Sequence, residues 1–262
     1  MPDPDDTSIP FLIDADTPRE GRRLADAERL RSVAERPAAG HYFAYGEHGL
    51  TLVSSSRGRS LALRPDFTSG PTAWRLARAA PRTEALARAC GLRGGRGLSV
   101  VDATAGLGRD AMMLASLGAR VTLVERSRVV VLLLADALRR AALSDRLRPA
   151  LERMEVVHGD AVEVLRRMDA AARPDAVYLD PMFAAGTRRA RAGKEMEVLQ
   201  SLLGPAPDET GLLDAARRTA RARVVVKRHR KAAPLAAVSP HHTIPGTSTR
   251  FDVYEPLTST EA

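Results

Sequence analysis

Two stretches of this chain set chemically capable residues where strands should end. The first, DATAGLGRD over 102–110, places an acid, Asp102, ahead of Gly106 and Gly108 and closes on Arg109 and Asp110. Glycines between a strand and a helix allow positive φ and let a ligand approach the backbone. Open α/β sheets bind their ligands beside such loops. The second, VYLDPMF over 177–183, ends an apolar run on Asp180, Pro181, Met182 and Phe183. The amino group of a purine is a poor nucleophile, because its lone pair is delocalised into the ring. A carboxylate and a neighbouring carbonyl can accept its hydrogens and aim the lone pair. Proline stiffens the turn that presents them, and an aromatic ring can stack on the base. Asp180, Pro181 and Phe183 are therefore the expected catalytic residues.

The glycine loop by itself admits two cofactors. GLGRDA satisfies the dinucleotide pattern G-x-G-x-x-[GA]. Glu125, 19 residues after Gly106, could accept ribose hydroxyls of NAD or of S-adenosylmethionine. Three details favour S-adenosylmethionine. Asp102 precedes the glycines, where a carboxylate can face a cationic methionyl group. Asp110 would repel a pyrophosphate. A second motif closes the fourth strand, which a dehydrogenase does not require. Asp160, after the third strand, is expected at the adenine amino group, and Asp is also a good helix N-cap.

These residues need a sheet to hold them. Apolar strands are predicted at 98–103, 120–125, 154–159, 175–180 and 223–228, with amphipathic helices at 108–117, 128–142, 161–169 and 208–221. That alternation implies parallel strands joined by right-handed crossovers. Two further strands, at 241–244 and 249–256, have no helix between them and predict a terminal antiparallel hairpin. The fold class expected is thus α/β, a Rossmann-like class I methyltransferase sheet, mostly parallel. It is preceded by a small N-terminal α/β extension over 1–70 (1–10 a disordered tail) and a helical and Gly/Arg-rich connector over 71–97. The main domain runs over 98–258. Within the extension, strands are expected at 11–14, 41–45 and 50–54, and a helix at 19–36.

Composition narrows the partners. The 262 residues are 44% hydrophobic and 27% charged, enough for a sizeable core, and carry a net charge of +8. Such a charge suits a polyanion, of which nucleic acid is the commonest. Arg188, Arg189, Arg191 and Lys194 follow DPMF, and Lys227 and Arg228 end the fifth strand, so both groups are expected to face RNA phosphates. Cys90 is the single cysteine, which excludes an internal disulfide and suits a reducing, cytoplasmic setting. The N-terminus lacks a signal peptide's pattern, and the apolar stretch from Val129 to Leu138 contains Asp136 and is too short to span a bilayer. The histidines lack the spacing of a metal site.

The stretches 101–126, 177–183, 194–196, 200–205, 224–228 and 250–254 together resemble the ribosomal small-subunit methyltransferase J family, the bacterial 16S rRNA (guanine(1516)-N2)-methyltransferases. The resemblance implies S-adenosylmethionine as cofactor, held at Arg109 and Asp110, Glu125 and Arg126, Asp160 and Ala161, and Asp180. It implies 16S rRNA or the small ribosomal subunit as partner, without a metal or a membrane. Two positions depart from the family. Asp160-Ala161 stand where Ser-Ser is usual, and 75–84 keeps Arg75, Arg82 and Glu84 but lacks the glycines. An NAD-dependent oxidoreductase and a non-catalytic RNA-binding or ribosome-assembly protein are the alternatives.

Overall fold

The computed structural model describes residues 9–56, 58–92, 97–181, 194–203, 208–246 and 248–257. Two sheets organise them. The larger has seven strands: β6 (Ser99–Asp102), β7 (Arg120–Glu125), β8 (Met154–His158), β9 (Ala176–Leu179), β10 (Arg223–His229), β11 (His242–Pro245) and β12 (Thr249–Tyr254). Their order is β11-β12-β10-β9-β6-β7-β8. All neighbours from β8 to β10 pair in parallel, and β12 runs antiparallel to both β10 and β11. The chain leaves β6 for β7 on one side and later returns to β9 on the other. The crevice between β6 and β9 is therefore a topological switch point, where open α/β sheets take their ligands.

Strand residues alternate between two buried layers, as the period-2 geometry of strands requires. Val100, Val121, Leu123, Tyr178, Val225 and Phe251 pack with α3 (Ala85–Cys90) and α4 (Arg109–Ser116). Val101, Val124, Val177, Leu179, Val224 and Val226 pack with α7 (Ala161–Arg166) and α9 (Glu209–Thr219). Burial on both faces explains why these strands read as continuous apolar runs.

The smaller sheet, ordered β2-β1-β3-β4-β5, comprises β1 (Phe11–Leu12), β2 (Ser32–Val33), β3 (Gly40–Gly46), β4 (Gly49–Ser56) and β5 (Arg59–Leu63). With α1 (Arg19–Ala27) it packs onto α5 (Arg128–Ala141) and α8 (Lys194–Leu203). Thus α5 buries Val130 and Leu133 toward the small sheet and Leu134 and Ala137 toward the large one. Its long apolar stretch is a helix covered on two sides, and among the described residues no helix is long and apolar enough to cross a membrane. The short α6 (Arg148–Leu151) leads into β8, and α2 (Gly70–Arg78) with α3 links the two sheets.

The helix expected over 19–36 is a correction: α1 stops at Ala27. Arg29 takes a left-handed φ of 53° and the Leu30 amide donates back to the Ala25 carbonyl at 2.9 Å, closing the helix end. The chain then pairs β2 with β1 instead of continuing. Leu30, which follows Leu24 and Ala27 at helical spacing, is instead buried with Ala25 in one apolar cluster with β1 and β3.

Candidate active site

The C-terminal ends of β6, β7, β9 and β10 converge on the switch point. Asp102 closes β6, in register with Tyr178 of β9, and Tyr178 lies opposite Val225 of β10. Two residues further on, Asp180 and Lys227 come to the same face by strand alternation. The glycine loop then folds back over them. Gly106 and Gly108 have φ of 50° and 73°, and a side chain at Gly108 would meet Leu134 at 2.6 Å. Gly108 is demanded by both conformation and packing. The loop is fastened at two points. The Gly106 amide donates to Glu125 Oε2 at 2.8 Å, and the Asp180 amide donates to Thr104 Oγ1 at 2.6 Å. Glu125 Oε1 also accepts the Ser127 amide at 2.8 Å, so this carboxylate ties the loop to the turn after β7.

A chain of ion pairs crosses the site. Lys227 Nζ lies 2.7 Å from Asp180 Oδ2 and 2.8 Å from Asp110 Oδ2. The same Asp110 oxygen accepts the Tyr178 hydroxyl at 2.7 Å, and Asp110 Oδ1 takes Arg75 at 3.3 Å. Arg75 reaches back to Glu84 at 2.9 Å. The acids respond differently to this surrounding. Burial pushes Asp110 up, but Lys227, Tyr178 and Arg75 outweigh it and hold its carboxyl below the ordinary range. Burial also dominates at Asp180, helped by Asp110 and opposed by Lys227, and its carboxyl is raised. The Asp180 side chain keeps 37% of its surface open, so solvent moderates this shift. Asp102, 2% exposed, is raised well above the carboxylate range by burial, then by Asp110, and opposed by the Thr104 amide at 3.2 Å. Burial lowers Lys227, but Asp110 and Asp180 prevail and its ammonium holds its proton above the ordinary value.

The other expected residues are placed as follows. Arg109 is exposed at the start of α4, and Pro181 is buried after Asp180. The Arg126 guanidinium donates to the Leu203 carbonyl at 3.4 Å. Asp160 caps α7 by accepting the Glu163 amide at 3.1 Å, and Ala161 opens that helix. Phe183, Arg188, Arg189 and Arg191 lie outside the described residues, as does the side chain of Lys194, which begins α8. For Lys227 and Arg228 the structure corrects the expectation of a shared RNA-facing run, because alternation sends them to opposite faces. Lys227 is committed to two carboxylates in the site. Arg228, 6% exposed, donates to the Ala233 carbonyl at 3.0 Å and lies 3.8 Å from Glu209. The sequence reading assigned no role to Thr104 or Tyr178, and the signal was available for Tyr178. A tyrosine in an otherwise aliphatic buried strand needs a hydroxyl partner.

S-adenosylmethionine carries a sulfonium, an ammonium and a ribose, and the donor set suits it. Acids stand at the ends of β6, β7 and β9 beside the glycine loop. Asp102 is a buried carboxyl group with no ion pair among the described residues, and a cationic ligand beside it would favour its ionised form. Among those residues no group of three or more His, Cys, Asp or Glu is placed to hold a metal.

Fold and site together define a class I S-adenosylmethionine-dependent methyltransferase. The family described as "Putative SAM-dependent methyltransferase" matches residues 25–256. Ribosomal RNA small subunit methyltransferase J of Alkalilimnicola ehrlichii is 47% identical over 252 residues, covering 94% of each chain. The protein of the same name from Chromobacterium violaceum is 42% identical, covering 89% of this chain and 90% of that one. A crystal structure of a SAM-dependent methyltransferase from Neisseria gonorrhoeae superposes with a TM-score of 0.75 at 36% identity, covering 94% and 96%. The chain belongs to the ribosomal RNA small subunit methyltransferase J family.

Proposed function

We propose that this enzyme methylates the exocyclic N2 of a guanine in 16S rRNA, guanine-1516 by family resemblance, in the cytoplasm. The reading rests on one observation above others. Asp180, at the end of β9, is anchored by Thr104 to the glycine loop and by Lys227 to the neighbouring strand, and so stands beside the cofactor loop with a raised proton affinity. The relatives' names carry ribosomal RNA as the acceptor.

Bound S-adenosylmethionine supplies an electrophilic methyl group on a sulfonium. Asp102 would face its cationic methionyl part, Glu125 its ribose hydroxyls, and Asp160 its adenine edge. Glu125 can do so while keeping its two backbone bonds, because each carboxylate oxygen has a second lone pair. Asp180 accepts a hydrogen from the guanine amino group and turns the nitrogen lone pair toward the methyl carbon. As the nitrogen becomes positive, the same carboxylate takes its proton, a task that a raised pKa favours. Lys227 fixes the rotamer of Asp180 and keeps it ionised until then. Pro181 stiffens the turn, and Phe183 stacks on the base.

Mapping methylated 16S rRNA nucleotides in cells with and without the protein tests the substrate. The expected result is one guanine that loses its N2 methyl. Single-turnover methylation tests the catalytic assignment. Asp180→Ala should fold and, at saturating cofactor, turn over on the order of a hundredfold more slowly or worse. A normal rate would reduce DPMF to a turn.

A further inference from the structure

We propose that the outer face of α2, centred on Trp74 and Arg78, is a docking surface for single-stranded RNA, on which the base flanking the target nucleotide stacks. The proposal rests on the rRNA reading above and deepens it. Trp74 is the only tryptophan in the chain and is 62% exposed, one of two large hydrophobic side chains so exposed among the described residues. The Arg78 guanidinium lies 4.4 Å from its ring centroid. An exposed indole beside a cation offers a nucleobase what it needs: a wide π-face and a positive charge for the adjoining phosphate.

The surroundings match a polyanion. The helix, GPTAWRLAR, has no acid, Arg82 is exposed shortly after it, and Arg109 is exposed across the adjoining cleft. That cleft, about 150 Å³, lies between α2 and α4 and is lined by Pro71, Thr72, Arg75, Leu76, Arg109 and Met113. Its position ties it to the chemistry. Arg75, the residue after Trp74, pairs with Asp110, which shares Lys227 with Asp180. These ion pairs join α2 to the cluster that holds Asp180, and the helix also packs against α4, which opens at the glycine loop. A turn of Asp66, Thr68 and Ser69 fixes the start of the helix. Asp66 accepts the Thr68 amide at 2.7 Å and the Ser69 hydroxyl at 2.7 Å.

As the sole tryptophan, Trp74 reports its own occupancy. Titrating the protein with a short unmethylated single-stranded RNA spanning the target should change tryptophan emission saturably, with a midpoint that rises with salt. Trp74→Ala should raise the RNA KM roughly tenfold, with kcat and cofactor affinity unchanged, and Trp74→Phe should recover much of the loss. Arg78→Ala should raise KM and flatten its salt dependence. If the wild type methylates the RNA while Trp74→Ala keeps its KM, the surface is overturned and the rRNA reading stands. If the wild type transfers no methyl to rRNA in any form, that reading falls and the surface with it. A loss for assembled subunits but not for naked RNA would mark a protein-docking face and overturn the proposal.

Discussion

Asp136 in α5 and Asp180 after β9 are both acids in contact with basic side chains, and they are used in opposite ways. Asp136 lies between the two sheets and accepts from the Leu50 amide at 2.9 Å, the Tyr45 hydroxyl at 3.2 Å, Arg139 at 3.0 Å and Arg140 at 2.8 Å. Burial pushes it up, but Arg140, the Leu50 amide and Arg139 prevail and its carboxyl sits below the ordinary value. Among the described residues Asp180 has one side-chain donor, Lys227, which Asp110 shares, and burial prevails. A carboxylate with its lone pairs occupied holds structure. One with lone pairs to spare and a raised proton affinity is placed to receive hydrogens from something else. The number of donors, more than the presence of a nearby cation, separates joint from site.

The sharpest way to break this contrast is to remove the structural acid. Asp136→Ala strips four donors of their acceptor, including the buried Leu50 amide, and should cost about 3 kcal/mol of stability. Turnover per folded molecule should persist, and denaturant unfolding alongside active-site titration measures both. Glu125 combines the two roles, because it anchors Gly106 and is expected on the ribose. Glu125→Ala should weaken cofactor binding by about 1.5–3 kcal/mol, and calorimetry showing unchanged affinity in a folded variant would remove the ribose contact.

Lys227→Met tests the pair from the other side. The ammonium lowers the pKa of Asp180, so its loss must raise it. In the proposed mechanism the ionised carboxylate is the working form, so the acid limb of the kcat profile should move to higher pH, with roughly tenfold lower turnover at neutral pH. An unmoved limb would show that Lys227 does not control the ionisation of Asp180.

Much of the fold was legible. The apolar run at 120–125 predicts β7 with the bounds observed, and the terminal antiparallel hairpin is found, with Pro245 closing β11 instead of lying in the turn. The misses share a cause. RSLAL over 59–63 lacks clean alternation because β5 takes its place from pairing with β4 and packing on α8, not from its own pattern. The helix read through 19–36 fails because Leu30 is buried by β-sheet neighbours at a spacing a helix would also give.

At the site the division is similar. Sequence alone determined that Asp102, Glu125 and Asp180 stand at strand ends beside a glycine loop, because strand period and Gly or Pro punctuation are local properties of the chain. Which partners those acids meet was decided only by tertiary structure. Lys227 is 47 residues from Asp180 and 117 from Asp110, and strand register and the order β10-β9-β6 bring all three together. The same register turns Arg228 to the opposite layer, out of the basic run that the sequence suggested. Charge in a sequence has sign and spacing, but the face it occupies and the donors it meets come from elements far apart in the chain, and those set its pKa.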